Sequence, residues 1–394
     1  MLDFIDRFAM GKCWPNAVKR RSLPDAGRIT SPRVEIRRKY EIGRDGGTGI
    51  DRQFNISGSR IPAMKTVSVY GAGSMGTACA VLAAWNGHAV SLLTRTDEDA
   101  ALYDAERRNT RHLASVQLPD AIRVRPVHAG PDECDVAILA VPSRHLRMFL
   151  ESSYVRVPSG AVVVSVIKGI EEGTLARPDE IVSQTIGPRR LVVLGGPSHA
   201  EEIVDRQPTS VVAASRDDDA AVATQRLLSN DRFRVYTNDD PLGVELAGAL
   251  KNVIGLAAGI CDGVGYGDNA KATLLTRGIA EMRRFAVTLG GREETFFGLA
   301  GVGDLITTCV SPHGRNRAVG HRIGSGMSLE EATAGMESIA EGVTTARSVL
   351  KLAASHGVEM PIVEEVCKVL FERKAPQDAT DTLMTRPPKS EVAT

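Results

Sequence analysis

The chain has few aromatic residues, few cysteines and no excess of either charge. Aromatic side chains make up 4% of its 394 residues, and Lys+Arg and Asp+Glu each total 48, so no net positive charge favours a nucleic-acid partner. The cysteines are too widely spaced for metal-ligand pairs or a disulfide framework, which favours a reducing compartment and no metal site. No stretch of about 18 uncharged apolar residues predicts a membrane span. These features are typical of a cytoplasmic globular protein.

The first 63 residues differ from the rest in charge and pattern. They contain 13 Lys/Arg against seven Asp/Glu and show no sustained apolar periodicity. This composition predicts a disordered basic extension over residues 1–63. The extension is an arm for an anionic partner, a dispensable tail, or a segment that is not translated. The last two alternatives are suggested by Met64, which stands directly before the first predicted strand.

A strand, a glycine-rich turn and a helix follow Met64. The run at residues 65–70 leads into GxGxxG, with Gly71 placed for the tight turn, Gly73 for close approach of a pyrophosphate and Gly76 for helix packing. Free amides at the start of the helix would hold the anion. In this context the motif predicts a dinucleotide-binding domain rather than a turn without a ligand.

The end of the second predicted strand decides the cofactor. Residues 89–94 form another apolar run, followed by Arg95 and, two residues later, by Asp97. An arginine at this position suits the 2′-phosphate of NADP, whereas a carboxylate suits the ribose hydroxyl of NAD. The sequence favours NADPH, with NADH as the alternative.

Four further apolar runs predict strands that are buried on both faces of a parallel sheet. They span residues 135–141, 161–166, 191–194 and 210–214. Ligands bind beyond the carboxyl ends of such strands, where Lys168 and Ser198 stand here. We expect an α/β fold, with an N-terminal Rossmann-like, doubly wound, mostly parallel sheet over residues 64–240.

Beyond residue 240 the pattern changes to long helical stretches rich in Ala, Gly and Leu. This predicts an all-α C-terminal domain over residues 241–380 and a tail over 381–394. Lys251 lies in a stretch so apolar that its helix is expected to be buried. A desolvated lysine suits proton transfer at neutral pH. The alternative is a lysine that reaches the surface or forms a structural ion pair.

Two clusters in the helical half suit an anionic substrate. Asp304 ends a glycine-rich run, and Arg315 and Asn316 follow Gly314. Guanidinium groups bind phosphate through planar pairs of donors. Together with the two lysines named above, these clusters predict a small phosphorylated or carboxylated carbonyl compound as the substrate.

The chain resembles the bacterial-type NAD(P)-dependent glycerol-3-phosphate dehydrogenase family over residues 64 to about 380. The motifs that carry the resemblance are, in order, GAGSMGTACA, AVPSRHLR, SVIKGIE, GGPSHAEE, ELAGALKNVIGLAAGICDG, GLAGVGDLITTC, GRNRAVG and AEGVTTA. The KNVIGLAAGI block and the GVGD block with GRNR downstream are specific, because nucleotide-binding domains in general lack them. The resemblance implies an oxidoreductase that interconverts dihydroxyacetone phosphate and sn-glycerol 3-phosphate with NADPH or NADH, supplying phospholipid synthesis.

The resemblance also implies roles for particular residues. Lys251 would be the catalytic proton donor or acceptor, with Lys168 and Asp304 shaping the same site. The implied substrate-binding residues are Lys168, Gly196, Ser198, Lys251, Asp304, Gly314, Arg315 and Asn316. The implied cofactor-binding residues, beside Gly71, Gly73 and Gly76, are Ser74, Met75, Arg95, Lys168, Ala200, Arg315 and Glu341.

Three positions depart from the usual pattern of the family. Met75 stands where an aromatic residue is usual, His199 where Phe is common, and Gly314 where Ser is frequent. The first is expected to loosen cofactor stacking, the second to place a titratable ring near the substrate, and the third to remove a hydroxyl from the phosphate site. None of them is the proposed acid.

Two other functions stay open at this point. A dehydrogenase for a 2-keto or 3-hydroxy acid would share the nucleotide-binding half but would not need GVGD and GRNR together. A non-catalytic sensor of NAD(P) would not need a lysine in an apolar helix. The long apolar helical half also suggests a homodimer.

A chain that begins at Met64 is expected to fold and to keep the dehydrogenase activity of the full chain, because residues 1–63 contain none of the motifs above. Thermal unfolding and NAD(P)H oxidation, measured on both chains, check this expectation. Loss of activity in a truncated chain that still folds would show that the extension contributes to function.

Overall fold

The computed structural model describes residues 64–130, 133–312, 314–336, 340–388 and 390–391. The predicted basic extension over residues 1–63 lies outside these described residues, as does the end of the predicted tail.

The N-terminal half of the described chain forms an eight-stranded sheet with the strand order β10-β9-β8-β7-β6-β1-β2-β5. Adjacent strands are parallel except β8 and β9, which pair antiparallel. A separate antiparallel pair is formed by β3 and β4. The strands are β1 (Thr66–Tyr70), β2 (Ala89–Thr94), β3 (Arg108–Asn109), β4 (Leu113–Gln117), β5 (Ile122–Pro126), β6 (Val136–Leu139), β7 (Val162–Ser165), β8 (Leu191–Gly195), β9 (Thr209–Ala214) and β10 (Phe233–Asn238).

The strand order reverses at β1: β2 and β5 lie on one side of it, and β6 to β10 lie on the other. Val67 of β1 is in register with Val90 of β2 on one side and with Val136 of β6 on the other. In such sheets ligands bind beyond the carboxyl ends of the strands at this reversal. The prediction of a doubly wound, mostly parallel sheet is confirmed, and β1 locates its binding crevice.

Helices cover the sheet on both faces. Val69 and Ile138 belong to a buried cluster on one face, and Tyr70 and Leu139 belong to another on the opposite face. This explains why the predicted strands are continuous apolar runs. The helices of this half are α1 (Ser74–Trp85), α2 (Asp97–Glu106), α3 (Leu146–Glu151), α4 (Pro178–Ile186), α5 (Ala200–Val204) and α6 (Asp218–Leu228), with short 3₁₀ turns at Val127–Ala129 and Ser143–His145.

The remaining described chain is helical and is organised around one long helix. Its helices are α7 (Pro241–Val264), α8 (Asp268–Thr288), α9 (Glu293–Phe297), α10 (Asp304–Val310), α11 (Arg315–Gly324), α12 (Leu329–Thr333), α13 (Glu341–Ser355), α14 (Pro361–Phe371) and α15 (Pro376–Met384), with a π-helical turn at Leu299–Gly303 between α9 and α10. The change from strands to helices thus falls between Asn238 and Pro241.

Helix α7 is the core of the helical half. Asp240 caps its N-terminus by accepting a hydrogen bond from the Gly243 amide at 2.9 Å, and Gly265 ends it in the left-handed conformation. Every residue from Gly243 to Ile260 is buried. By length and composition α7 could cross a membrane, but 94% of its most apolar window is buried inside the protein. It is therefore packed as a core helix, as its apolar sequence predicts.

Helices α7 and α11 approach closely because glycines of each helix face the backbone of the other. A Cβ at Gly320 would lie 2.1 Å from the Leu256 carbonyl oxygen, and one at Gly259 would lie 2.1 Å from the Arg317 carbonyl oxygen. Backbone therefore meets backbone at this crossing. The close approach places the first turn of α11 beside the middle of α7.

Substituting Gly320→Ala is expected to lower the free energy of unfolding by about 1–3 kcal/mol, because a methyl group there must push the two helices apart. Chemical denaturation checks the value. The matched control is Gly160→Ala, where a Cβ meets nothing within 4 Å and the change is expected to be near zero. Equal stability of the two variants would contradict this account of the crossing.

Candidate active site

A cleft of about 950 Å³ lies at the carboxyl end of the sheet, between the sheet and the helical half. Twelve of the sequence-predicted residues line it: Gly71, Gly73, Ser74, Met75, Arg95, Lys168, Ser198, Lys251, Gly314, Arg315, Asn316 and Glu341. The other four, Gly76, Gly196, Ala200 and Asp304, are not among its lining residues. The structure therefore brings most of the predicted positions into one cavity and places the rest around it.

The turn after β1 has the shape that a dinucleotide requires. Gly71 has φ of +108°, and a Cβ there would lie 2.8 Å from the Ala140 carbonyl oxygen. A Cβ at Gly76 would lie 2.0 Å from the Gly71 carbonyl oxygen, whereas one at Gly73 would meet nothing within 4 Å. Gly73 thus leaves open space, and no side chain caps the start of α1. These residues fit a bound pyrophosphate.

A buried asparagine that the sequence analysis missed holds this turn in place. Asn109 of β3 donates from its side-chain amide to the Ala72 carbonyl at 2.7 Å and to the Thr77 hydroxyl at 2.8 Å. Asn109 lies more than 30 residues away from the glycine motif in sequence. No local pattern could have connected the two.

Arg95, which directly follows β2, lines the cleft. Asp97 does not line the cleft; its side chain is 73% exposed and lies 3.5 Å from His128 Nε2. At the residue that directly follows β2, the cleft therefore presents a cation.

One carboxylate joins two lysines at the base of the cleft. Asp304 Oδ1 accepts a hydrogen bond from Lys251 Nζ at 2.6 Å, and its Oδ2 accepts one from Lys168 Nζ at 2.7 Å. Lys251 also donates to the Thr308 hydroxyl at 2.7 Å, and Lys168 to the Gly196 carbonyl at 3.2 Å. Asp304 is thus buried behind both lysines, while the lysines themselves reach the cleft.

The surroundings of Lys251 tune its proton affinity. Burial lowers the pKa of Lys251, Asp304 opposes this, and the nearby Lys168 ammonium lowers it further, giving about 8. Burial would raise the pKa of Asp304, but the two lysines hold it below its usual value, so Asp304 is ionised at neutral pH. Lys251 can therefore give up a proton near neutral pH while it remains mostly charged.

Two asparagines orient the wall of the site opposite the sheet. Asn316 donates to the Asn252 side-chain carbonyl at 3.0 Å and accepts from the Gly342 amide at 3.0 Å. These bonds fix the first turn of α11 against α7 and α13. Burial raises the pKa of the Glu341 carboxyl, and the positive charge of Arg315, which lines the cleft, partly opposes this rise.

The sequence analysis did not single out Thr308 or Asn252 as site residues. Thr308 stands one helical turn after Asp304 and faces the same side, which is a signal that helical spacing carries. Asn252 directly follows Lys251 in the KN motif. The three positions that depart from the family pattern, Met75, His199 and Gly314, all line the cleft. Burial lowers the pKa of His199, so its ring is neutral at pH 7.

Comparison with known proteins places the chain among dehydrogenases. Residues 66–221 match the model for the NAD-dependent glycerol-3-phosphate dehydrogenase N-terminus, and residues 240–381 match that for its C-terminus. The chain belongs to the NAD-dependent glycerol-3-phosphate dehydrogenase family. It is accordingly an NAD(P)-dependent oxidoreductase, and the predictions of the family, the enzyme class and the nicotinamide cofactor are confirmed.

Individual relatives agree with this assignment. A glycerol-3-phosphate dehydrogenase [NAD(P)+] of Chlorobium limicola is 48% identical over 330 residues, which cover 83% of this chain and 99% of that protein. One of Geobacillus thermodenitrificans is 46% identical over 333 residues, covering 84% and 97%. The crystal structure of a glycerol-3-phosphate dehydrogenase from Coxiella burnetii superposes with a TM-score of 0.78 at 33% identity, covering 82% and 99%.

Replacing Asp304 with Asn is expected to shift the alkaline limit of carbonyl reduction downward. Asp304 raises the pKa of Lys251, so its loss lowers that pKa from about 8, by about one unit or more, and the ammonium form is lost at lower pH. The pH dependence of kcat, read from the residual rate of the variant, measures this limit.

Asp262→Asn is the matched control, because Asp262 also joins two cations, Lys271 at 2.5 Å and Arg317 at 2.7 Å, without contacting Lys251. This variant is expected to lose stability and to keep the alkaline limit near pH 8. The same limit in Asp304→Asn as in the unsubstituted enzyme would contradict the role given to Asp304.

Proposed function

We propose that this cleft interconverts dihydroxyacetone phosphate and sn-glycerol 3-phosphate, with NADPH as the preferred reductant and Lys251 as the acid–base group. The observation that carries the proposal is the buried Lys251 ammonium, held between Asp304 and Thr308 with its pKa near 8. A structural ion pair alone would not need to border a large cleft that also contains a nucleotide-binding turn.

The substrate phosphate fits the start of α11. Gly314 precedes this ten-residue helix without a side-chain cap, so the first-turn amides are oriented to bind an anion. Arg315 and Asn316 line the cleft at the same place. A phosphate bound there would hold a three-carbon substrate against Lys251, and such positioning supplies a large part of the rate of enzymatic reactions.

The residues at the base of the cleft would supply the proton and the charge stabilisation for carbonyl reduction. When bound, the reduced nicotinamide supplies the hydride that adds to the carbonyl carbon. Lys251 gives its proton to the carbonyl oxygen as the electron pair of the C=O π bond moves there, which leaves a neutral amine to be protonated again from solvent. Lys168 adds a second positive charge beside the developing oxyanion, and Asp304 holds both lysines in position.

Preference for NADPH is supported by Arg95, which lines the cleft at the end of β2, and by Asp97, which does not. The carboxylate that does line the cleft in this segment, Asp99, is paired with Arg111 at 3.0 Å, whereas a 2′-phosphate would meet the guanidinium group of Arg95. In this proposal residues 64–240 form the nucleotide-binding domain and residues 241–380 the substrate domain.

The proposed cellular role is to supply glycerol 3-phosphate for phospholipid synthesis in the cytoplasm, in keeping with the family. A homodimer is also proposed. Phe297, Ile306 and Val310 on the helical half are exposed apolar side chains that a second copy would cover. Light scattering of the purified chain measures the oligomeric state, and a monomer at working concentration would contradict the dimer.

Substituting Lys251→Ala is expected to reduce kcat for dihydroxyacetone phosphate at least about 100-fold, because acid–base groups contribute about 10²–10⁴-fold. NADPH binding should be nearly unchanged, since the nucleotide-binding turn lies on the sheet. Loss of absorbance at the nicotinamide band measures turnover, and the thermal shift with NADPH measures binding.

Lys271→Ala is the matched control, because Lys271 pairs with Asp262 at 2.5 Å and does not line the cleft. It is expected to keep normal turnover. A Lys251→Ala variant that retained more than about a hundredth of the original activity would refute the role of Lys251 as the acid.

A further inference from the structure

Three basic side chains meet at the nucleotide end of the cleft. Arg95, Arg144 and His145 all line the cavity. Arg95 follows β2, and the other two lie in the turn Ser143–His145 after β6. Arg144 and His145 have no role in the site described so far.

The sheet order places these residues on both sides of the nucleotide-binding turn. Strand β1, which leads into Gly71, lies between β2 and β6. Adjacent strands are about 4.8 Å apart, so the ends of β2 and β6 are roughly 10 Å apart. Arg95 and Arg144 thus enter the cleft from opposite flanks.

The carboxylates of the cleft do not neutralise this basic group. Asp99 lines the cleft but forms an ion pair with Arg111 at 3.0 Å. Glu341 lines it on the side of the helical half, near Arg315. Within the described residues, neither Arg95 nor Arg144 has a carboxylate within ion-pair distance. Two guanidinium groups without an anionic partner are suited to an anionic ligand.

Arg144 is held in place by its neighbours. Its Nε donates to His145 Nε2 at 2.9 Å, which leaves its two terminal nitrogens available. Burial and the charges of Arg144 and Arg95 lower the pKa of His145, so the ring is neutral at pH 7 and can accept this bond. The Ser143 amide is hydrogen-bonded to Glu341, which anchors the start of the turn.

We infer that Arg144, oriented by His145, binds the 2′-phosphate of NADPH opposite Arg95 and is a determinant of the preference for NADPH over NADH. This inference rests on the proposed function, in which NADPH is the preferred cofactor. The amides at the start of α1 fit the pyrophosphate. The 2′-phosphate is the anionic group of NADPH that is left for Arg95 and Arg144 to bind. A phosphate held between two guanidinium groups gains charge-assisted hydrogen bonds from both.

The test compares Arg144→Gln with the unsubstituted enzyme in calorimetric titrations with two probes, adenosine 2′,5′-bisphosphate and adenosine 5′-monophosphate. The variant is expected to bind the bisphosphate at least about tenfold more weakly, because it loses charged hydrogen bonds to the 2′-phosphate, and the monophosphate within about twofold. In steady-state kinetics the ratio of kcat/KM for NADPH to that for NADH should fall by a similar factor.

Arg123→Gln is the matched control. Arg123 is an exposed residue of the edge strand β5 and does not line the cleft, so the change removes the same charge from the same domain outside the cleft. Both titrations should be unchanged in this variant. A tenfold loss here as well would mean that overall charge, and not Arg144, governs binding.

Three other results would overturn either the role of Arg144 or the NADPH preference. Equal losses for the two probes in Arg144→Gln would mean that Arg144 contacts the adenosine, and would overturn its role at the 2′-phosphate. An NADPH preference that survives in Arg144→Gln would overturn the inference and leave the proposed function intact. An unsubstituted enzyme that uses NADH as well as NADPH would instead overturn the NADPH preference in the proposed function.

Discussion

The active site depends on one buried carboxylate that forms ion pairs with two lysines. Asp304 is 2% exposed, and a charge so buried is tolerated only when it is paired and hydrogen-bonded. Its two partners come from different halves of the protein: Lys168 follows β7 of the sheet, and Lys251 lies on α7. The ion pairs that stabilise these buried charges therefore also join the sheet to the helical half.

The composition of α7 follows from this arrangement. A Cβ at Gly248 would lie 3.3 Å from Lys168 Cγ, and one at Gly255 would lie 2.7 Å from Thr308 Cγ2. The two groups that accompany Lys251 in the site thus lie against glycines one turn to either side of it. Small residues in α7 let the Lys168 loop and α10 approach the helix closely. The scarcity of aromatic residues in this half is consistent with packing through such contacts.

Local patterns predicted the elements of the site, whereas long-range pairings decided how they meet. The glycine motif, the apolar strands and the buried lysine at 251 could all be read from short stretches, because each depends on backbone geometry or burial. The contact between Lys168 and Asp304 spans 136 residues, so no periodicity could reveal it. Strands β5 and β10 escaped prediction because charged or polar residues alternate with apolar ones in these edge strands. The antiparallel pairing of β8 with β9 likewise depends on tertiary packing.

The distribution of charge matters more here than its total. The chain has a formal net charge of zero, yet Arg95, Arg144, Lys168 and Arg315 all line one cleft. The anion that balances the lysines, Asp304, is buried beneath them and does not line it. A surface that presents cations while its counter-charge is buried attracts anions, and walls of low dielectric constant strengthen that attraction. Dihydroxyacetone phosphate and NADPH are both anions, so the same asymmetry that keeps Lys251 charged also concentrates the two reactants where the proton is available.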